Sequence, residues 1–464
     1  MEYLIRFIQM HETFRKPETD ALADLNGFKV EWISYSDDSP FAIIRFPDDI
    51  DHDTAAKALI SRSIMTYAIY ELWGTGCDYE ALHKDIRKRT EHLWEQYRNL
   101  SFRFEIDSFH GSRSHSERRD IMESLGYMEF KGPIVMRDPD HHFTIFEDFK
   151  LDAKSPHQLH FGRRVAESGR GAITKYNLKK RKYIATTSMD AELSLVTANM
   201  AQAAPGRLAY DPFMGTGSFP LACAHFGSTV FGSDMDGRSV RGKKGRNVKT
   251  NFEQYSTSSL YLDGFAADLT NTPLRQNRYL DSIVCDPPYG VREGLKVLGS
   301  LKPALQQEVL LWNGQPAHLQ SDYIPPKRPY SFLRMLDDVL DFSSTMLVDD
   351  GRLCMWMPVA GAVDEEEAEQ TETGPQEAPE QQEEYDIPQH PALELVSCCT
   401  QDFNKWSRQL LTYRRRRDSE VDAASLAAYR MQRLDLQVNG SKKSTADELN
   451  DFRRKYFQGF KERT

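Results

Sequence analysis

The segment DSIVCDPPYGV, residues 281–291, ends an apolar run with an acid, two prolines and an aromatic ring. An ionised Asp286 accepts hydrogen bonds without donating them, and Pro287 lacks an N–H but keeps its carbonyl acceptor. Tyr289 offers a flat face for stacking. Two rigidly held acceptors beside such a face fit a planar base with an exocyclic amino group. The segment therefore predicts a site that orients such an amine and favours attack by its nitrogen lone pair.

A second group of residues surrounds the glycine-rich segment AYDPFMGTGSF, residues 209–219. Asp211 ends an apolar run, and Gly215 and Gly217 would let the backbone approach a ligand where a helix begins. The pattern is neither the dinucleotide GxGxxG motif nor a phosphate-binding loop with GK[ST]. An acid at this point would repel a pyrophosphate and would suit a cationic amino group, such as that of an amino acid.

Two more acids follow the next two apolar runs. Asp234 lies 23 residues after Asp211, close to the spacing at which an acid binds ribose hydroxyls in related folds, and Asp236 is the alternative contact. Asp268, after GFAA, could accept a hydrogen bond from an adenine amino group. A lone aspartate often only caps a helix, but three at successive strand ends predict a pocket for an amino acid joined to an adenosine.

Five short apolar segments beginning near residue 208, mostly separated by helical patterns, indicate the sheet that places these acids. They predict a doubly wound, mostly parallel α/β sheet, with ALELVSCCTQDF and RQLLTYRRR as later returning strands. Ligands bind beyond the carboxyl ends of the strands in such sheets, so the four acids should share one edge. Before this sheet, the pattern predicts a smaller α+β region with a long helix over 53–76 and a strand at PIVMRD, 133–138.

The composition sets limits on partners and location. The 464 residues carry a formal charge of −10, but residues 364–384 alone hold ten acids and no base. Two basic segments, 163–182 and 238–249, carry eight and six Lys or Arg and predict contact with a polyanion. The six cysteines show no zinc spacing, and we interpret them as reduced core residues of an intracellular protein. No apolar run is long enough to span a membrane.

In this order, DPFMGTGS, GSDMD and DPPYG resemble the class I methyltransferases that use S-adenosylmethionine to methylate exocyclic amino groups. LKKRKYIATTSMDAELSL and the α+β region resemble THUMP-containing tRNA guanine N2-methyltransferases, in particular the catalytic subunits of eukaryotic tRNA (guanine-10-N2)-methyltransferases. The resemblance implies a cytoplasmic enzyme for tRNA and a small zinc-binding activator protein as partner. The sequence pattern and the resemblance together divide the chain into a ferredoxin-like α+β subdomain (1–55), a THUMP-like RNA-binding domain (56–160), a Rossmann-like methyltransferase domain (161–417) and a charged helical tail (418–464). Low apolar content and high charge predict an acidic disordered insertion at 361–388, which is longer than the simple fold requires.

The resemblance also assigns roles to individual positions. It implies that the methionine end of S-adenosylmethionine is bound by Asp211, Phe213, Gly215 and Gly217. It implies that Asp234 contacts the ribose and Asp268 the adenine, and that Thr187 and Ser188 belong to the segment that closes over the cofactor. It implies that Asp286 and the Pro287 carbonyl hold the target amine while Tyr289 stacks on the base.

Other functions make different demands on the sequence. Methylation of a pyrimidine carbon needs a cysteine nucleophile after a proline, and Cys285 has no proline before it, so we expect Cys285 in the core. Ribose methylation would use a lysine-centred set of bases, which the strand ends lack. Methylation of an amine in ribosomal or small nuclear RNA, or of adenine in DNA, stays open as an alternative. A non-catalytic RNA-binding scaffold fits poorly with intact Asp211, Asp234 and Asp286.

Overall fold

The computed structural model of the chain describes residues 1–291, 294–300, 302–303, 308–320, 323, 325–360, 387–404, 406–438, 446 and 449–458. Contacts divide the chain into two compact units, Met1–Ala172 and Ile173–Thr464. Apart from its last two positions, the predicted disordered insertion at 361–388 lies outside the described residues. Within the described part of the chain, no helix is both long enough and apolar enough to cross a membrane.

The first unit is an α+β structure built on one seven-stranded sheet. Its elements, in chain order, are β1 (Glu2–Phe7), α1 (Glu12–Leu25), β2 (Glu31–Ser34), β3 (Phe41–Arg45), α2 (His52–Ile60), β4 (Thr66–Gly76), α3 (Tyr79–Thr90), α4 (Trp94–Tyr97), β5 (Phe102–Phe109), α5 (His115–Glu123), β6 (His141–Asp148) and β7 (Gln158–Glu167). The strand order is β2-β3-β1-β4-β7-β6-β5, with β5 and β6 as its parallel pair. The α+β class predicted for this region is confirmed.

The long helix predicted over 53–76 is wrong. Helix α2 ends at Ile60, and Thr66–Gly76 forms β4 at the centre of the sheet, between β1 and β7. The run TYAIYELW is rich in aromatic and β-branched side chains, which pack well on a pleated surface. Where the helix gives way to the strand, the buried Glu18 carboxylate accepts hydrogen bonds from Ser63 Oγ and the Ile64 and Met65 N–H groups.

Two further details of the first unit differ from the prediction. The segment 133–138 is not a strand, because Ile134 makes only a single bridge to Phe102. Strand β7 was not predicted, because its arginines were interpreted as part of a basic surface. The domain boundaries at 55/56 and 160/161 stay predictions; these positions lie within α2 and β7, and the compact unit ends at Ala172.

The second unit alternates strands and helices and ends in two helices. Its elements are α6 (Gly171–Tyr176, which begins at the boundary), α7 (Ala191–Met200), β8 (Leu208–Asp211), α8 (Ser218–His225), β9 (Thr229–Asp234), α9 (Gly237–Arg241), α10 (Val248–Gln254), β10 (Tyr261–Ala266), β11 (Leu280–Cys285), β12 (Lys296–Leu298), β13 (Lys327–Pro329), α11 (Phe332–Met346), β14 (Leu347–Ala360), β15 (Leu393–Asp402), β16 (Trp406–Arg415), α12 (Ala423–Val438) and α13 (Asp451–Gln458). The helical tail was predicted, but the short β12–β13 pair was not.

The sheet of the second unit has the strand order β10-β9-β8-β11-β14-β16-β15. The first five strands are parallel, and β16 runs antiparallel to both of its neighbours. The predicted doubly wound, mostly parallel α/β sheet is therefore confirmed. Chain order reverses between β8 and β11, and such a switch point leaves a crevice at the carboxyl ends of the strands.

Helices cover both faces of this sheet, which fixes the strands that carry the site. Ile283 and Cys285 of β11 belong to the core cluster that contains Met335 and Leu340 of α11. On β14, Trp356 donates a hydrogen bond from Nε1 to Thr197 Oγ1 of α7, 3.2 Å away. Strands buried on both faces read as continuous apolar runs, which explains the sequence of β11 and β14. Cys285 is fully buried, as predicted.

Candidate functional site

A cavity of about 640 Å³ lies beyond the carboxyl ends of β8, β9 and β11. Ten of the eleven predicted site residues line it, namely Thr187, Ser188, Asp211, Phe213, Gly215, Asp234, Asp268, Asp286, Pro287 and Tyr289. Gly217 is the exception, because it lies one layer behind the cavity wall as the N-terminal cap of α8. The four strand-end acids therefore share one cavity, as the switch point requires.

The glycine turn after β8 is shaped by two residues with positive φ angles. Gly215 has φ +48° and Gly217 has φ +82°, and a Cβ on Gly217 would lie 2.9 Å from Val248 Cγ1. The Asp211 carboxylate accepts a hydrogen bond from the Phe213 N–H at 2.9 Å. Burial, followed by the charges of Asp234 and Asp286, raises the pKa of Asp211 well above its usual range. A cationic amino group beside Asp211 would offset this cost and stabilise the carboxylate.

Met214, at the centre of the turn, occupies a slot between two strand glycines. A Cβ on Gly232 of β9 would lie 2.8 Å from Met214 Sδ, and one on Gly264 of β10 would lie 3.0 Å from the same atom. The Met214 N–H donates to the Ser233 carbonyl at 2.9 Å. The glycines thus let one side chain, 3% exposed, hold the turn against the sheet.

Asp234 and Asp236 have different partners. The Asp234 carboxylate accepts hydrogen bonds from the Gly215 N–H at 2.9 Å and the Asp236 N–H at 2.7 Å. The Asp236 carboxylate instead caps α9 and pairs with Arg238, whose side chain is 86% exposed. Asp234 is therefore the acid tied to the glycine turn, which favours it over Asp236 as the ribose contact.

Asp268 has a structural role that the sequence did not predict. One carboxylate oxygen accepts from the Thr270 N–H at 2.9 Å, and the other accepts from the Leu298 N–H of β12 at 2.6 Å. On the opposite side of the glycine turn, Ser188 Oγ lies 2.7 Å from Thr216 Oγ1. Asp268 thus fixes β12 beside the cavity, and Ser188 fixes the segment 185–190 over the turn.

Asp286 and Tyr289 form the polar part of the opposite cavity wall. Asp286 Oδ1 and the Tyr289 hydroxyl are both buried, and the two side chains interact with each other, with Arg408 beside Tyr289. Burial raises the pKa of Asp286, while Tyr289 and the positive charge of Arg408 oppose that rise. Burial, reinforced by the charge of Asp286, also raises the pKa of Tyr289. An amine entering the cavity would meet the Asp286 carboxylate as a hydrogen-bond acceptor.

Sequence reasoning missed the aromatic and basic residues that complete this wall. Phe403, Trp406 and Arg408 come from the β15–β16 hairpin, and Phe452 and Tyr456 come from α13. The Trp406 and Phe403 rings stack with centroids 4.5 Å apart. The aromatic residues of FNKWSRQ and NDFRRKYF were a usable signal, because five aromatic rings in two short polar segments are more than a solvated surface needs.

The two basic segments are only partly free to bind a polyanion. In the first unit, Arg163 of β7 pairs with Glu71 at 2.8 Å and is 18% exposed. In the second unit, the buried Arg181 donates to Ser218 Oγ at 2.8 Å. Lys243 and Lys244, by contrast, are exposed. Arg163 and Arg181 therefore have partners within the protein, and contact of 163–182 with a polyanion stays a prediction.

No cysteine among the described residues lines this cavity. The six cysteines are thiols rather than disulfides, and Cys77 is exposed while Cys398 is half-buried. In the part of the chain that the structure describes, no group of three or more His, Cys, Asp or Glu is arranged to hold a metal ion. Burial raises the pKa of the Cys285 thiol well above its usual range, so this residue is a poor nucleophile.

Two family models match the chain, one in each unit. Residues 1–170 match the Tmrp11 THUMP N-terminal domain, and residues 179–309 match the RMKL-like methyltransferase domain. The tRNA (guanine(10)-N(2))-methyltransferase of Saccharomyces cerevisiae is 42% identical over 423 residues, covering 89% of this chain and 92% of that protein. The proteins of the same name from Schizosaccharomyces pombe and Homo sapiens are 37% and 32% identical, covering 89% and 88% of this chain and 89% and 87% of their own lengths.

Proposed function

The chain belongs to the tRNA (guanine(10)-N(2))-methyltransferase family, and from this premise we propose how its cavity transfers a methyl group from S-adenosylmethionine to guanosine N2 in tRNA. One observation carries the assignment of the target side. Asp286, Pro287 and Tyr289 line one cavity together with the glycine turn and the three other strand-end acids. A carboxylate, a carbonyl and an aromatic ring at this end of the cavity suit a planar base with an exocyclic amine.

The donor set of the cavity fits S-adenosylmethionine. Asp211, whose pKa burial raises, would hold the cationic amino group, with Phe213 and Gly215 beside it at the methionine end. Asp234 would accept from the ribose hydroxyls and Asp268 from the adenine amino group. Thr187 and Ser188 would close over the cofactor, and Gly217 would shape the turn from behind. When bound, the sulfonium supplies an electrophilic methyl carbon.

On the target side, the chain orients the nucleophile and excludes water. The Asp286 carboxylate and the Pro287 carbonyl accept the two hydrogens of guanine N2, while Tyr289 stacks on the base, a contact worth about 1–3 kcal/mol. Both acceptors favour the tetrahedral nitrogen that forms as the N2 lone pair leaves the ring and attacks. Methyl transfer would break the S–C bond as the N–C bond forms, and the positive charge that develops on N2 would lie against Asp286 until N2 releases one proton to that carboxylate. The base leaves its stack to reach the cavity.

We further propose the partner and location that the sequence resemblance implies. A small zinc-binding activator protein docks on the methyltransferase domain, and the complex acts in the cytoplasm. The acidic residues 364–384 are dispensable for catalysis. Exposed Lys243 and Lys244 are among the groups that contact the RNA backbone, which makes binding dependent on salt.

The test is methylation of unmodified tRNA by the purified chain together with its activator. Mass spectrometry of the digested nucleosides should show N2-methylguanosine, and a tRNA with adenosine in place of guanosine 10 should accept no methyl. D286A should lose about 10²- to 10³-fold in kcat, the cost of removing one preorganised group, while it keeps its affinity for S-adenosylhomocysteine. D286N keeps the shape of the side chain but not its charge, so it shows whether catalysis needs the carboxylate charge or only the packing of the side chain.

The alternatives give different results in the same assay. Label in DNA, or in ribosomal or small nuclear RNA but not in tRNA, would refute the substrate assignment. Binding of tRNA without any label would favour the non-catalytic scaffold. Full activity of D286A would refute the role of the acceptor pair.

A further inference from the structure

The last described segment of the chain, residues 449–458, contacts the acceptor loop 286–290 directly. Asn450 is 3% exposed, and its Nδ2 donates to the Tyr289 carbonyl at 2.9 Å. The Arg453 guanidinium donates to the Gly290 carbonyl. Two successive carbonyls of the loop are therefore held by side chains that lie more than 150 residues away in sequence.

Asn450 has its amide orientation fixed from both ends. Its Oδ1 accepts from the Arg453 N–H at 2.9 Å at the start of α13, so its Nδ2 must be the group that meets the Tyr289 carbonyl. The side chain thus acts both as a helix cap and as a tie between α13 and the loop. Because only the second action needs a donor, the two can be separated by substitution.

The close approach of Asn450 depends on a glycine in the loop. Gly290 has φ +79°, and a Cβ there would lie 2.5 Å from Asn450 Nδ2. The segment is also joined to α11, because the Phe332 N–H donates to the Leu449 carbonyl at 3.2 Å. The loop and the segment therefore fit each other at van der Waals distance and share an anchor in the core.

The same segment brings two aromatic rings to the target side of the cavity. Phe452 is 2% exposed, and its ring meets the Tyr289 ring edge-on at 6.2 Å and the Trp406 ring at 5.7 Å. Tyr456 lines the cavity and lies 6.3 Å from Trp406. Edge-on contacts of this kind fix the plane of Tyr289 without covering its stacking face with a parallel ring.

We propose that residues 449–458 are part of the target-base pocket, with Asn450 as the positioning residue that holds the acceptor loop in its productive conformation. This inference rests on the proposed function. Asn450 acts through the Tyr289 carbonyl, which sets where the Tyr289 ring and the preceding acceptors lie. Its loss should lower kcat, because displacement of catalytic groups by a fraction of an ångström is enough to slow transfer. Asn450 holds the loop after β11, whereas the acids assigned to the cofactor follow β8, β9 and β10, so cofactor affinity should persist.

The experiment compares N450D and N450S with the wild-type chain in complex with its activator. Aspartate and serine both cap helices well but cannot donate as the amide does, since aspartate has no donor and the serine hydroxyl is too short to reach the loop carbonyl. We expect kcat to fall about tenfold in both variants, the effect of one lost hydrogen bond at a reacting site. The Kd for S-adenosylhomocysteine and the KM for tRNA should each stay near the wild-type value, while the loss of one buried hydrogen bond lowers the melting temperature by a few degrees in both variants.

A kcat within about twofold of wild type in both variants would overturn the proposal, because the helix cap alone would then explain Asn450. An equal loss of cofactor affinity and kcat would also overturn it, since the effect would then be general misfolding. N450Q, which keeps the donor but displaces it by one methylene, should fall between wild type and N450S. A wild-type complex that labels no tRNA would refute the proposed function itself, independently of how the variants compare.

Discussion

Substitution of Asp234 by asparagine tests the cofactor side of the cavity. The Asp234 carboxylate accepts two backbone hydrogen bonds, from the Gly215 N–H at 2.9 Å and the Asp236 N–H at 2.7 Å. Asparagine has one acceptor oxygen, so one of these bonds can persist, while the other N–H faces an amide NH2. The same change removes the charged acceptor proposed for the ribose hydroxyls.

The size of the effect follows from the bonds that are lost. A hydrogen bond to a charged group contributes about 1.5–3 kcal/mol, so losing one on the ligand side should weaken cofactor binding by roughly 10- to 150-fold. The hydrogen bond within the turn is lost in both the free and the bound protein. Its loss therefore lowers the free energy of unfolding and does not change the cofactor Kd. Isothermal titration with S-adenosylhomocysteine measures the first effect, and urea unfolding without ligand measures the second.

D236N is the matched control. Asp236 caps α9 and pairs with the exposed Arg238, and asparagine caps helices about as well as aspartate. An exposed ion pair contributes about 0–1 kcal/mol, so D236N should change the Kd by less than about threefold. A loss in D236N that equals the loss in D234N, or a D234N variant that binds as tightly as wild type, would refute the assignment of Asp234 as the ribose contact.

Three other predictions concern pH, stability and RNA. Burial raises the pKa of Asp286, and the positive charge of Arg408 opposes that rise. R408Q should therefore raise the pKa of Asp286 further and shift the acid limb of the kcat profile to higher pH, whereas R408K should leave the profile in place. Initial rates measured across pH test both variants. Leu340→Ala, at a fully buried position, should lower the free energy of unfolding by about 2–5 kcal/mol in urea titrations. Replacing exposed Lys243 and Lys244 by Glu should weaken tRNA binding and reduce its salt dependence by about one unit of log–log slope per lost phosphate contact, with cofactor affinity unchanged in titration.

The acids of the site could be predicted from the sequence because their positions follow from local patterns. Each of Asp211, Asp234 and Asp286 ends a short apolar run, and parallel strands bring their carboxyl ends to one edge. The distinction between Asp234 and Asp236 could not be made this way. It depends on which carboxylate faces the glycine turn, a matter of side-chain direction rather than spacing.

The rest of the target side could not be predicted because it is made by distant contacts. Asn450 and Tyr289 are 161 positions apart, and no local pattern in either segment points to the other. The error over 53–76 has a different cause, since apolar residues at helical spacing continue from α2 into β4 and the break at Ser63 carries no glycine or proline. There the buried Glu18 carboxylate, from another helix, stabilises the change from helix to strand.

The slot around Met214 has no room for an oxidised sulfur. A methionine sulfoxide carries an extra oxygen on the sulfur and becomes polar. Gly232 and Gly264 leave no space for such an atom, since even a Cβ on either would lie within 3.0 Å of the sulfur. An oxidised Met214 would therefore displace the glycine turn while leaving every acid of the site chemically intact. The 3% exposure of Met214 protects the enzyme from this damage, and a methionine sulfoxide reductase could reach the lesion only after the turn had opened.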